Sequence, residues 1–82
     1  MKQGNTFEVT ITKVDGPLFR GAVHSVTLPA VEGEMTILAS HEPFISMLKQ
    51  GTITVRNEEN VKTFFIEKGL LETSSGQVTI LV

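Results

Sequence analysis

The feature that most constrains this chain is an alternation of period two. Phe7, Val9 and Ile11 alternate with Glu8, Thr10 and Thr12. Successive side chains on a strand point to opposite faces, so this spacing fits a half-buried strand and does not give a helix a continuous apolar stripe. Short runs of the same kind recur along the chain, separated by residues that favour turns. Asp15-Gly16-Pro17 is the first such signal, since glycine accepts positive φ and proline fixes φ near −65°. Leu18 to Arg20 reads as a short extended piece, and Val23 to Leu28 as a β-branched strand closed by Pro29.

Met35 to Leu38 is another apolar run, followed by a loop over Ala39-Ser40-His41-Glu42-Pro43. Phe44 to Leu48 fits either a strand or a helical turn, and Gly51 interrupts the pattern. Thr52 to Arg56 and Val61 to Glu67 form the clearest hairpin, turning through Asn57-Glu58-Glu59-Asn60. Lys68-Gly69 marks a further turn. Leu70 to Thr73 and Val78 to Val82 make a last hairpin across Ser74-Ser75-Gly76-Gln77. No segment has helical periodicity over a useful length. The reading is one all-β domain over residues 1–82, an antiparallel β-sandwich of two sheets.

Composition narrows the function. A chain of 82 residues holds one small domain, and such a domain buries only about 60% of its unfolded surface. There are no cysteines, which excludes a disulfide framework, a thiolate metal site and a cysteine nucleophile. The net charge is −2 and the seven cationic residues are scattered along the sequence. A nucleic-acid partner is therefore not expected, because phosphate neutralisation needs clustered Lys and Arg. No apolar run approaches the ~20 residues of a membrane span, and Met1 to Asn5 leads into no signal-peptide core. We expect a soluble, cytosolic chain, attached to a membrane at most through a protein partner.

Three stretches together resemble the epsilon subunit of the rotary F-type ATP synthase. They are Leu18-Phe19-Arg20-Gly21, Val26 to Met35 with its Glu32-Gly33-Glu34, and His41-Glu42-Pro43-Phe44-Ile45-Ser46. Gly51, Gly69 and the closing Gly76 to Leu81 fall where that family also has glycines and a last strand. The resemblance runs from Phe7 to Val82. It departs from the family at Thr36, where glycine is usual, and at Ala39-Ser40, where proline precedes glycine or asparagine. Family members continue past the closing strand into a helical hairpin. This sequence ends at Val82, so we expect neither the hairpin's inhibitory motion nor its nucleotide binding here.

The resemblance implies a two-sheet sandwich at the foot of the central stalk, joining the gamma subunit to the ring of c subunits. It implies a non-catalytic subunit on the cytoplasmic face of the membrane, with no cofactor and no direct membrane insertion. By position, Pro29, Ala30, Val31, Glu32, Gly33 and Glu34 would meet the polar loops of the c ring, and Lys13, His41, Pro43, Phe44 and Ser46 would face gamma. In extended backbone Glu32 and Glu34 project to one side, which suits a cationic partner. Gly33 would give close approach or positive φ. Phe44 would supply an apolar anchor and His41 a hydrogen bond.

Simpler accounts stand beside each assignment. Glu32 and Glu34 also fit a solvated acidic turn, Phe44 core packing, and His41 a structural loop histidine. His24 reads as a strand residue on the side of Val26 and Leu28. With His41 it does not make the three or four converging ligands that zinc needs. Phe64 and Phe65 occupy opposite faces of one strand, at least one of them in the core. An enzyme is not indicated, because no nucleophile has a nearby base and no Walker-type phosphate loop is present. The rival class is another small β module. A biotinyl or lipoyl carrier needs a lysine at a hairpin tip, and Lys68 is the candidate. A single-strand nucleic-acid binder needs a basic groove interleaved with aromatics.

Overall fold

The computed structural model describes residues 6–39 and 42–82. Within them the chain forms nine strands: β1 (Phe7–Lys13), β2 (Gly16–Val23), β3 (Ser25–Ala30), β4 (Gly33–Ile37), β5 (Phe44–Leu48), β6 (Gly51–Arg56), β7 (Val61–Ile66), β8 (Gly69–Ser74) and β9 (Gln77–Leu81). No helix occurs among the described residues. The strands bond in the order β2-β1-β9-β8-β5-β3-β6-β7, with β4 added to β3. This single sheet curls, like a half-barrel or sandwich, around one apolar cluster.

Period two explains the burial. Phe7, Val9 and Ile11 of β1 are buried, as are Val26, Leu28 and Ala30 of β3 and Leu71 of β8. Ile53 and Val55 of β6 and Val78 and Ile80 of β9 complete the middle of the core. The five-residue run Phe44 to Leu48 is a strand, because Phe44 to Leu48 pairs antiparallel with Thr73 to Gly69. The two expected hairpins are present as β6–β7 and β8–β9. Asn57 closes the first: its Oδ1 accepts from the N–H of Asn60 at 3.0 Å and of Glu59 at 3.3 Å, the local bonding that makes asparagine a turn residue.

Four expectations need correction. The fold is not wholly antiparallel, since β1 and β9 run parallel from Glu8↔Gln77 to Thr12↔Leu81. They are the first and last strands, so no tight turn obliges them to reverse direction. The run Val23 to Leu28 is not one strand. It bends at His24, which is half-buried between β2 and β3 and whose N–H donates to the Arg56 carbonyl at 2.8 Å. Gly51 begins β6 instead of separating elements.

Pro29, the fourth, lies inside β3 and does not close it. There β3 changes partners. Its ladder to β6 ends at Thr27↔Thr54, and it meets β5 at Ala30↔Leu48. The Lys49 N–H donates to the Pro29 carbonyl at 2.8 Å. Proline has no N–H to return that bond, which keeps the β3–β5 ladder to one pair. Gly51 stands at this crossing, and a Cβ there would lie 2.7 Å from Cβ of Pro29.

Candidate functional site

The β3–β4 hairpin carries the acidic loop. Pro29 pairs with Glu34 and Ala30 with Gly33, leaving Val31 and Glu32 at the tip. Val31, Glu32 and Glu34 are exposed, while Pro29 and Gly33 are half-buried. Gly33 has φ 138°, with no atom within 4 Å of where a Cβ would stand. Glycine is needed there for conformation, not for space. Ala30 is buried at 1% exposure. Its side chain belongs to the core, and only its neighbours can meet a partner.

Two backbone bonds tie this tip to β5. The Val31 N–H donates to the Met47 carbonyl at 3.0 Å, and the Lys49 N–H to the Pro29 carbonyl at 2.8 Å. On β5 the alternation decides which side chains are available. Leu48 is buried, and Phe44 and Ser46 are half-buried on the same side, with Phe44 packed against the core. Ile45 and Met47 point the other way, at 67% and 59% exposure. The exposed apolar side chains on this strand are thus Ile45 and Met47, whereas half-buried Phe44 packs against the core.

Register extends Met47 into a row. Met47 pairs with Leu70, and Leu70 with Leu81. All three are exposed, so an apolar strip crosses β5, β8 and β9 and reaches Val31 through its bond to Met47. Ile45, Met47, Leu70 and Leu81 are not among the contact residues expected from the sequence. The paired register of two later strands is needed to bring them together.

Residues 42–44 are held by a buried hydroxyl. Thr73, 4% exposed, donates to the Glu42 carbonyl at 2.7 Å and accepts from the Phe44 N–H at 2.9 Å. Pro43 is exposed between them. His41 lies outside the described residues. Lys13 is exposed at the end of β1, opposite Gly16. It lies beyond the row Thr12–Leu81–Leu70–Met47, at the end of the sheet away from Phe44. That separation is about 13 Å along the strands and about 14 Å across three strand spacings. Lys13 and Pro43 therefore do not share one small site.

Other singled-out residues also find places. The Phe64 ring meets Phe19, with centroids 5.8 Å apart at a tilt of 56°, while Phe65 on the opposite face is 63% exposed. Lys68 lies in the connection between β7 and β8, two strands that do not pair, so it is not at the hairpin tip a carrier lysine needs.

The sequence profile of the ATP synthase Delta/Epsilon chain beta-sandwich domain matches residues 6–82. The chain belongs to this family. Among curated epsilon chains, ATP synthase epsilon chain 2 of Nitrobacter hamburgensis is 39% identical over 75 residues, which are 92% of this chain and 55% of the relative. Epsilon chain 1 of Methylococcus capsulatus is 39% identical over 77 residues, 93% of this chain and 55% of the relative. This epsilon-type sandwich thus spans about half the length of the curated relatives it matches. It superposes on a chain of the Euglena gracilis mitochondrial ATP synthase, a cryo-EM structure that includes the c-ring. There the TM-score is 0.88 at 27% identity, over 100% of this chain and 53% of that one. A chain from the Tetrahymena thermophila mitochondrial ATP synthase central stalk and c-ring shares the fold at TM-score 0.77 and 18% identity, over 92% and 61% of the two chains.

Proposed function

We propose that this chain is the sandwich part of a non-catalytic central-stalk subunit of the rotary ATP synthase, joining gamma to the c ring and coupling rotation to ATP synthesis. It would be peripheral to the membrane, held at its cytoplasmic face by those two partners. The domain acts as two layers, β2-β1-β9-β8-β5 and β4-β3-β6-β7, joined at Ala30↔Leu48. The second layer is wholly antiparallel; the first contains the parallel β1–β9 pair.

The observation that carries the reading is the junction between two chemically different surfaces. The acidic tip with Glu32 and Glu34 is bonded through Val31 to Met47, the first residue of the apolar row Met47–Leu70–Leu81. A coupling element needs two docking faces on one stiff body, and a close-packed interior makes it stiff. We assign Val31, Glu32, Gly33 and Glu34, with Pro29 and Ala30 as their support, to the c ring. We assign the apolar row with Ile45 to gamma. Pro43 and Ser46 flank that face, Phe44 shapes its edge, and Lys13 marks a separate contact beyond its far end; His41, outside the described residues, is assigned to gamma by the resemblance alone.

The test is capture of gamma and of the c ring, each purified from the source organism, on the immobilised chain. Glu32→Lys with Glu34→Lys should abolish c-ring capture and spare gamma, and Ile45→Asp with Met47→Asp should do the reverse. All four residues are exposed, so the variants should keep the fold. Failure of the unaltered chain to capture either partner would end the reading.

A further inference from the structure

The path of bonded strands begins at β2 and ends at β7 without closing. These two edges face each other across one open side of the molecule, where Phe19 of β2 meets Phe64 of β7 and Lys62 Nζ stands 5.8 Å from the centre of the Phe19 ring. Two cavities lie along the opening. One, of about 270 Å³, reaches from Phe19 and Gly21 to Asn60 and Lys62. The other, of about 520 Å³, is walled by Leu18, Phe64, Phe65 and Val82, with Lys13 and Lys68 on its lining.

The edges of the sheet at β2, β4 and β7 differ. On β2 the register slips opposite Ile11/Thr12, leaving Leu18 without a paired residue, and Pro17 offers no N–H. Bulges and prolines are how edges are made unfit for pairing. On β4 the run is five residues with the exposed carboxylate of Glu34. By contrast β7 has six residues, Val61-Lys62-Thr63-Phe64-Phe65-Ile66, with neither glycine nor proline, and its ladder to β6 is regular from end to end. Its outward amides and carbonyls are a template for another strand.

Charge narrows what can occupy it. Lys13, Lys62 and Lys68 line the opening, three of the seven cationic residues in a chain whose net charge is −2. Arg20 there is already paired with Glu8 at 3.0 Å. Glu67 is the one acid among the residues lining the two cavities. A second copy of β7 laid on this edge would bring its own Lys62 and Lys68 against these lysines, a like-charge cost that works against self-pairing.

We propose that β7 is an acceptor edge for an extended segment of another protein in which acidic and apolar residues alternate. The segment adds as a strand beyond β7. Its carboxylates fall on the face of β7 that carries Lys62 and reach toward Lys68, and its apolar side chains pack on the other face, against exposed Phe65. This site is distinct from the acidic tip and the apolar row, sharing with the earlier assignments only Lys13 at its margin, and it stands whether or not those faces bind gamma and the c ring.

The probes are three eight-residue peptides: alternating Glu and Val, alternating Lys and Val, and the Glu–Val peptide N-methylated at alternate residues. Binding is followed by amide NMR and hydrogen exchange on the 82-residue chain. The Glu–Val peptide should slow exchange at the β7 amides that do not bond β6. It should bind at least about tenfold tighter than the Lys–Val peptide at low salt, with the gap narrowing as salt is raised. Lys62→Glu with Lys68→Glu, both on exposed positions, should invert the preference, and N-methylation should abolish protection. The proposal is overturned if β7 stays unprotected, if the peptides bind equally, or if the N-methylated peptide binds as well as its parent. Protection of β7 by self-association without any peptide would overturn it too.

Discussion

Replacing Gly51 with alanine should damage the crossing where β3 passes from β6 to β5. The new methyl carbon would stand 2.7 Å from Cβ and 2.9 Å from Cγ of Pro29. Comfortable carbon contacts are about 3.5–4.0 Å, so the overlap is roughly 0.8–1.3 Å. A flexible side chain could swing aside, but the proline ring cannot. The backbone of β3 must therefore shift where it leaves β6 for β5, and overpacking of this kind costs about 1–3 kcal/mol. An unfolding entropy of about 2.1 cal/mol/K per residue makes each kcal/mol worth about 6 °C in a domain this size. Gly51→Ala should thus lower Tm by about 6–18 °C in a calorimetric melt. The cause is isolated by repeating the substitution in a Pro29→Gly background, where the obstructing ring is gone. Most of the cost should vanish there. A coupling between the two sites below about 0.5 kcal/mol would mean that they act independently and that the clash is not the reason.

Thr73→Val should destabilise the chain by about 1–3 kcal/mol in urea unfolding, because Glu42 and Phe44 lose a buried partner, whereas Thr73→Ser should recover most of that. Leu71→Ala, at a fully buried position, should cost about 2–5 kcal/mol in the same assay. Glu8→Gln removes the ion pair with Arg20, whose side chain is 74% exposed. It should change stability by less than about 1 kcal/mol, with no larger effect at low salt than the pair itself can supply.

Much of the fold is legible in the sequence. The β1 alternation and the turn residues from Asn57 to Asn60 each act locally, so local pattern suffices to place them. The parallel pairing of β1 with β9 is not local. It joins residues nearly the whole chain apart, and no spacing within either strand reports it. On the site side, the segment Phe44-Ile45-Ser46-Met47-Leu48 is apolar on both faces of a strand. Hydrophobicity alone therefore leaves open whether Phe44 or Ile45 faces the core. The structure resolves this through Leu71 and Thr73, buried partners of Ser46 and Phe44. The acidic hairpin tip was legible because Glu-Gly-Glu is a local signal. The apolar row was not, because its members come from three strands and meet only in register. Ala30 illustrates the converse: contiguity with Val31 and Glu32 suggested a contact, yet the pleat turns its side chain inward.

The parallel β1–β9 pair also bears on how the domain carries force. The chain enters β1 at the same end of the ladder where it enters β9, and it leaves β9 at the opposite end. A pull between the entry to β1 and the exit from β9 therefore slides the two strands along each other. The bonds from Glu8↔Gln77 to Thr12↔Leu81 are loaded together, as in a lap joint, and do not open one at a time like a zip. An antiparallel partner in the same place would have put both ends at one edge of the ladder and let it peel.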